Sequence, residues 1–321
     1  MVALNSELIC NDLGYIRCDK KGGIIIKNSL AGRIFAVFNY TFMIGLILLY
    51  ILPLLRLLAL SFSAPEAVVK NLVTFWPVDF TLDAYVYVLQ QKTFLKSVLL
   101  SGYRILLAVP LEILLAILMA YPLSKTESFF KARKYYVRFL LFGMAFGVWL
   151  IPAFLTVKYT GLRDTIWALV LPTAVNVSYI IILQNFFKKL PQEIEESARL
   201  DGASDWRILW SIIVPLSKTV ITTLVLFVFI YHWNDWFSGI IYMSQPENYP
   251  LQSYVSIITR PVWSFVVQPT EEQMIYLYNV VKPLNSTYML LSLLPVFCIY
   301  FLIRKNLTEK IYITEMREKD V

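Results

Sequence analysis

Few residues in this chain of 321 could do chemistry, and most of those lie inside or beside apolar runs. One histidine, His232, and three cysteines, Cys10, Cys18 and Cys298, are too few and too scattered for a Cys/His metal cluster or a disulfide framework. No GxxxxGK[ST] loop occurs, so the chain is not expected to bind ATP by a P-loop of its own, and no external acid pair stands at a recognisable catalytic spacing. Energy for any work must then come from a gradient or a partner. Three polar groupings remain. Arg104 and Glu112 share one apolar run, eight residues apart, which puts about 12 Å between them along a helix and prevents a direct pair. Ionisable groups at membrane depth normally face a bundle interior or a wet cavity, so Glu112 is a candidate to line a pathway. The competing reading satisfies both groups from neighbouring helices, with Arg104 snorkelling toward the outer surface. The second grouping is "HWNDWF" at 232–237, which reads as an aromatic belt at a membrane interface. The third is "EESARLDGASDWRILWSIIVPL" at 195–216, a charged segment between two long apolar runs.

The elements that must position these groups are membrane helices. Of the residues, 58% are hydrophobic and 16% charged, against roughly 25% charged in a soluble domain. Runs long enough to cross a bilayer, about 20 residues each, fall at roughly 35–63, 97–123, 139–158, 166–187, 219–242 and 284–303. The expected fold is therefore an all-α membrane protein of six spans, one domain over 35–303, with tails at 1–34 and 304–321. No short apolar core with a small-residue cleavage site opens the chain, so a removable signal peptide is not expected. The net charge of +7 reads as topology, not as a nucleic-acid signal: the four segments on one side of the spans hold five cations each, and the other side holds seven in all. By the positive-inside rule both termini and the 195–216 segment are cytoplasmic. The external segment after the first span has turn formers in Pro77 and Asp79, then Leu82, Tyr85 and Leu89 on one helical face, expected on the outer rim. Prolines 110, 152, 172 and 295 are expected to kink their spans.

Within the cytoplasmic segment, Pro191 suits the first position of a helix, and Glu193, Glu195 and Glu196 complement its positive end. Glu195 and Arg199 stand in the favoured i,i+4 order, and Gly202 can adopt the left-handed conformation that ends a helix near 201. Ser204 or Asp205 then caps a second helix carrying Trp206, Leu209, Trp210 and Ile213, which Pro215 disrupts. Helix, sharp turn, helix is the expected shape, and an ordinary amphipathic connector would have the same shape.

This segment resembles the EAA loop of ABC importer permeases, with Glu196, Ala198, Asp201, Gly202, Ala203 and Pro215 at matching positions and Ser197 in place of the usual first alanine. Similarity continues through "MAYPLSK", "IPAFLTVKYTGLRDTIWALVLPTAV", "HWNDWF" and "YPLQ", over roughly 75–300, and is to carbohydrate-uptake permeases like those of maltose import. Within them it looks most like the group that imports pectin-derived or alginate-derived oligosaccharides. The resemblance implies a permease in the bacterial cytoplasmic membrane whose paired helices fit a cleft on a cytoplasmic ATPase and transmit its closure. That ATPase, present as a dimer, would hold ATP and Mg; this chain would hold no cofactor. A homologous second permease, membrane lipid and an external solute-binding protein docking on loops 63–96 and 243–283 complete the implied partners. In that setting Trp233 and Trp236 would stack on sugar rings while Asn234 and Asp235 hydrogen-bond hydroxyls; His232 reads as a polar interface residue, not a proton relay. Relatives often end in a glycine-containing tail, whereas this chain ends "RKNLTEKIYITEMREKDV" with Lys310 and Thr314 where glycines would fall. The rival class is a gradient-driven secondary transporter of a polar solute with Glu112 and Arg104 as coupling residues. No inverted repeat supports it.

Overall fold

The computed structural model describes residues 16–18, 24–26, 30–147, 149–259 and 271–308. Lys310, Thr314 and the rest of the divergent tail lie outside the described residues, as does Cys10. The chain is helical apart from one short antiparallel pair, β1 (Ile16–Cys18) with β2 (Ile24–Ile26), in register with Arg17 opposite Ile25. This pair lies in the stretch expected as a tail, where three β-branched isoleucines in a row suit a strand; the membrane part of the described chain is helical, as expected.

Three helices are long and apolar enough to cross a membrane unaided. They are Ile34–Ser61 within α1 (Leu30–Ser61), all of α4 (Lys92–Ser124), and Val281–Phe301 within α14 (Glu271–Thr308). Between α1 and α4 come two short helices, α2 (Pro65–Val69) and α3 (Asp83–Gln90). Three further candidate spans are bent pairs. The pair α5 (Arg133–Phe146) and α6 (Leu150–Tyr159) bends by 110°, α7 (Trp167–Thr173) and α8 (Val177–Lys188) by 48°. After the short helix α9 (Gln192–Leu200), α10 (Asp205–Leu216) and α11 (Lys218–Asn234) bend by 79°. Two short helices, α12 (Phe237–Tyr242) and α13 (Leu251–Ile258), precede α14. The fold thus has three to six candidate spans. The expected fifth run, 219–242, is cut at 235: Asp235 turns its Oδ1 onto the N–H groups of Phe237 and Ser238 and starts a new helix, α12.

The bends do not fall on the prolines. Pro110 and Pro295 lie inside continuous helices, and Pro152 and Pro172 follow or precede their breaks, which sit at 147–149 and 174–176. Gly147, at φ +30, supplies the first of these bends with a conformation that side chains resist. Pro215 disrupts its helix as expected: Leu209–Ile213 widens into π turns just before it, and the helix stops at Leu216, one residue beyond it.

Helix α4 organises the bundle, packing most extensively on α8 and next on α11. The largest core cluster joins them: Ile113, Ile117 and Leu123 from α4, Ile180, Leu183 and Phe187 from α8, Leu224 and Val228 from α11. Ile208, Leu209 and Ile213 of α10 complete it, so the charged segment is anchored in the main core. A second cluster at the opposite end gathers Val88, Phe94, Trp233, Leu251 and Tyr288. There α3 buries Ala84 and Val88, while Leu82 and Leu89 face outward, a phase different from the one expected because the smaller residues allow the closer approach. Helix α1 is apolar and exposed along nearly its whole length, as a lipid-facing or partner-facing helix must be.

Candidate functional site

Two constellations emerge, one at each level of the bundle. At the end bearing α9, the chain makes the expected tight helix–turn–helix, and the bonding explains the residue types. Gly202 has φ +81, with open space around it, so conformation alone requires glycine. The Ala203 N–H donates to the Ala198 carbonyl (2.9 Å) and the Gly202 N–H to the Arg199 carbonyl (3.0 Å), the paired bonds that close a helix through a left-handed residue. Ala198 and Ala203 both rest on the main core, where larger side chains would lift α9 away. Asp201 is the exposed cap between them, and Ser204 caps α10 by accepting from the Arg207 N–H. Pro191 stands one residue earlier than expected, as the cap of α9.

The charges of α9 pair outward from their own helix. Glu195 meets Lys125 at the end of α4, and Arg199 reaches forward to Asp205 (2.7 Å), so the expected Glu195–Arg199 pair does not form. Lys125 also lies 4.1 Å from the ring centre of Tyr121, and Arg199 4.4 Å from that of Phe129. Burial pushes the Lys125 ammonium below the usual lysine range, with Glu195 opposing the shift. Glu196 is exposed and lines a cleft with Lys125, Phe129 and Arg199. Lys125 and Phe129 were missed from sequence. Their only signal was position, just beyond an apolar run.

Deeper in the bundle, α4 and α11 exchange two buried contacts. Arg104, 0% exposed, meets Asp235 at 2.6 Å, and Glu112, 3% exposed, meets His232 at 2.6 Å. Arg104 is therefore held inside, not snorkelled outward. The Oε1 of Glu112 also accepts from the Thr173 hydroxyl (3.1 Å). His232, buried at 1% exposure, is a bundle residue in place of the expected interface residue. Glu112 borders a cavity of about 240 Å³ shared with Thr173, Asn176, Ser178, Tyr231 and Met144. This cavity lies where the fourth candidate span breaks, as irregular backbone at membrane depth does when it borders a cavity.

The 232–237 run divides. Trp233 is 4% exposed, stacks on Phe229 at 6.0 Å and donates its indole N–H to the Ser292 carbonyl (2.8 Å), leaving no open face for a ring. Asn234 is exposed and donates to the Ile230 carbonyl; Asp235 is engaged by Arg104 and α12. Trp236, 47% exposed, keeps an accessible indole. The sequence does not reveal which tryptophan is inside, because the helix ends between them.

The arrangement holds no catalytic constellation and, among the described residues, no group of His, Cys, Asp and Glu able to hold a metal ion. It offers an exposed, charged helix–turn–helix rooted in the core at one end and a partly polar cavity within. Known proteins with the same pattern are numerous. LplC of Bacillus subtilis is 35% identical over 91% of this chain and 98% of its own length. The polygalacturonan/rhamnogalacturonan transport system permease YtcP of the same organism is 36% identical over 70% of this chain and 77% of its own. Among solved structures, a chain of a bacterial ABC transporter involved in alginate import superposes with a TM-score of 0.78 at 28% identity, covering 88% of this chain and 99% of that one. The profile of one family matches residues 84–307, more than two thirds of the sequence, and on that match the chain belongs to the binding-protein-dependent transport system inner membrane components.

Proposed function

We propose that this chain is one of two permease subunits of an ABC importer that carries oligosaccharides across the bacterial cytoplasmic membrane. The names of YtcP and of the alginate transporter point to sugar polymers or their fragments as cargo. In this reading each bent pair is one span, giving six, with the permease domain at 35–303 and both tails cytoplasmic. A dimeric ATPase binding ATP and Mg drives the cycle, a homologous permease completes the path, and a solute-binding protein delivers sugar on the opposite face. The alginate transporter crystallised with its oligosaccharide-bound periplasmic protein has the same fold, which supports that last partner.

The observation that carries the proposal is the α9–Gly202–α10 unit. It is exposed and charged on one face, closed by a glycine at φ +81, and rooted through Ile208, Leu209 and Ile213 in the core that holds α4, α8 and α11. A push on α9 by an ATPase would therefore reach three spans at once. Glu196 and Asp201 present charge to the ATPase; Ala198, Ala203 and Pro215 set the shape. Glu112, Asn234 and Trp236 remain candidates for the sugar path, whereas Trp233 and Asp235 serve by holding its walls.

Gly202→Pro tests the assignment, since proline's fixed φ near −65° forbids this turn. The complex should still insert into membranes but lose binding-protein-stimulated ATP hydrolysis and most ATPase co-purification. Normal stimulation would refute the coupling role.

A further inference from the structure

Helix α5 carries cations and an apolar surface on one face, and nothing among the described residues covers either. None of its residues is buried. Val137 and Leu140 rest on the main core, and the face turned away carries Lys134, Arg138 and Phe142 four residues apart in one row, with Tyr135, Phe139 and Phe146 beside it. All four aromatic side chains are more than half exposed. Their order along the helix matters: cations occupy the first two turns, and Phe142 and Phe146 follow about 6 and 12 Å beyond Arg138.

The charge is uncompensated. Lys131, Arg133, Lys134 and Arg138, with Lys188 and Lys189 at the end of α8, form no ion pair among the described residues. Neither α5 nor α8 contains an acid, and Glu127, the one acid in the loop before α5, is exposed and makes no ion pair there. Two of the cations are drawn together: Arg133 Nε donates to the Leu123 carbonyl (2.8 Å), which also accepts from Gln184 (3.0 Å), one helical turn before Lys188. Arg133 and Lys134 stand besides at the positive end of the α5 dipole, where cations are disfavoured. The neighbouring cleft is different, since Lys125 and Arg199 each meet a carboxylate. Topology explains cations on this side of the membrane, but not six gathered without an acid.

Charge and depth together select the occupant. A second copy or a homologous permease brings cations to the same side by the positive-inside rule and is repelled, while a free phosphate leaves the aromatic rows bare. A phospholipid with a negative headgroup satisfies both, its phosphate accepting from Lys134 and Arg138 and its acyl chains lying along Phe142 and Phe146. We propose that the outer face of α5 is a selective site for an anionic phospholipid, held through Lys134 and Arg138. It requires that α5 enter the bilayer and is independent of the oligosaccharide cargo.

The test uses the full complex in nanodiscs, with the three native cysteines changed to serine and a bimane label attached through Phe142→Cys. Quenching by brominated phosphatidylglycerol and by brominated phosphatidylcholine, each titrated against the unbrominated mixture, gives the preference of the site. Phosphatidylglycerol should be favoured about tenfold, the order that two basic side chains contribute at a membrane surface. Lys134→Gln with Arg138→Gln should bring the ratio close to one, and Lys134→Gln alone should lower it about threefold. Lys70→Gln with Lys92→Gln, which removes the same charge from exposed positions elsewhere, should leave it unchanged. Equal quenching by the two lipids in the parent, or an unchanged ratio in the double variant, would overturn the inference. Loss of the preference on adding inorganic phosphate at constant ionic strength would overturn it by making the site one for a free anion, and loss of the ATPase subunits from the double variant by assigning the cations to a protein contact. The parent ratio and the single variant decide the matter even if the double variant fails to assemble. ATP-driven uptake by the same complex, measured separately, reports on the importer reading and not on this site.

Discussion

Arg104 and Asp235 illustrate how single residues hold the interior of a chain with so little polar material. The guanidinium is fully buried and 131 positions from its partner, and Asp235 also caps α12, so one carboxylate fixes both the α4–α11 contact and the chain's exit from α11. Removing one member of a buried pair strands the other and costs about 3–5 kcal/mol, far more than an exposed pair is worth. Arg104→Met should therefore lower the melting temperature of the complex sharply, and Arg104→Met with Asp235→Asn should recover part of the loss; equal and additive losses would contradict a pair. The tryptophans give a second contrast at this scale. Trp233→Ala empties a packed site and should cost about 3–5 kcal/mol, whereas Trp236→Ala should leave thermal stability within about 0.5 kcal/mol and report only on transport. Differential scanning fluorimetry on both variants separates the two positions. Gly239 is as demanding as Trp233 for the opposite reason: a methyl there would sit 2.7 Å from Pro250 Cδ and overlap Ser253 Oγ.

At the scale of elements, the contact between α9 and the end of α4 ties the proposed coupling unit to a membrane helix. Lys125–Glu195 is partly buried, and desolvation lowers the Lys125 pKa despite the carboxylate beside it. The sign matters: a lysine with a lowered folded pKa carries a cost at neutral pH that fades as pH rises through that lowered value, so the pair contributes little net stability. Its contribution is orientation. Lys125→Met should leave the melting temperature nearly unchanged and keep the ATPase bound, yet reduce sugar-stimulated hydrolysis; lost ATPase binding would assign Lys125 to the docking surface instead. The helix–turn–helix itself was legible in sequence because its signals are local: Pro191, the acidic first turn, Gly202, Ser204. The partners of its charges were not, since Glu195 had a plausible arginine four residues on and a better lysine 70 residues back. The same limit applies to Glu112. Its depth was legible, but His232 and Thr173 come from other helices, and nothing along the chain announces them. The breaks in the spans escaped for a related reason, because the runs on both sides of each are apolar and read as one, although Asn176 caps the helix after the second break.

For the whole molecule, energy source and topology are the properties left to measure, and they are connected through the bent pairs. Uptake by reconstituted complex should follow ATP and ignore collapse of the proton gradient; sugar movement driven by a proton gradient in vesicles holding this chain alone would favour a secondary transporter. Topology is the sharper question, because α5 has 14 residues and α6 has 10, about 21 and 15 Å of helix, and neither alone crosses a hydrocarbon core of about 30 Å. If the 110° pair spans, Lys131 and Arg163 lie on opposite sides; if it is re-entrant, they share one side and the positive-inside assignment of every later segment inverts. The charge distribution favours spanning, since Lys131, Arg133, Lys134 and Arg138 gather before α5 and within its first turns, whereas only Lys158, in the last turn of α6, and Arg163 stand at the other end. Single cysteines at 131, 163, 196 and 247, introduced one at a time with the native cysteines removed, should divide in intact cells. Positions 163 and 247 should react with a membrane-impermeant maleimide from outside, and 131 and 196 only after permeabilisation. Labelling of 131 and 163 from the same side would break the six-span arrangement, and with it the placement of α9 against a cytoplasmic ATPase.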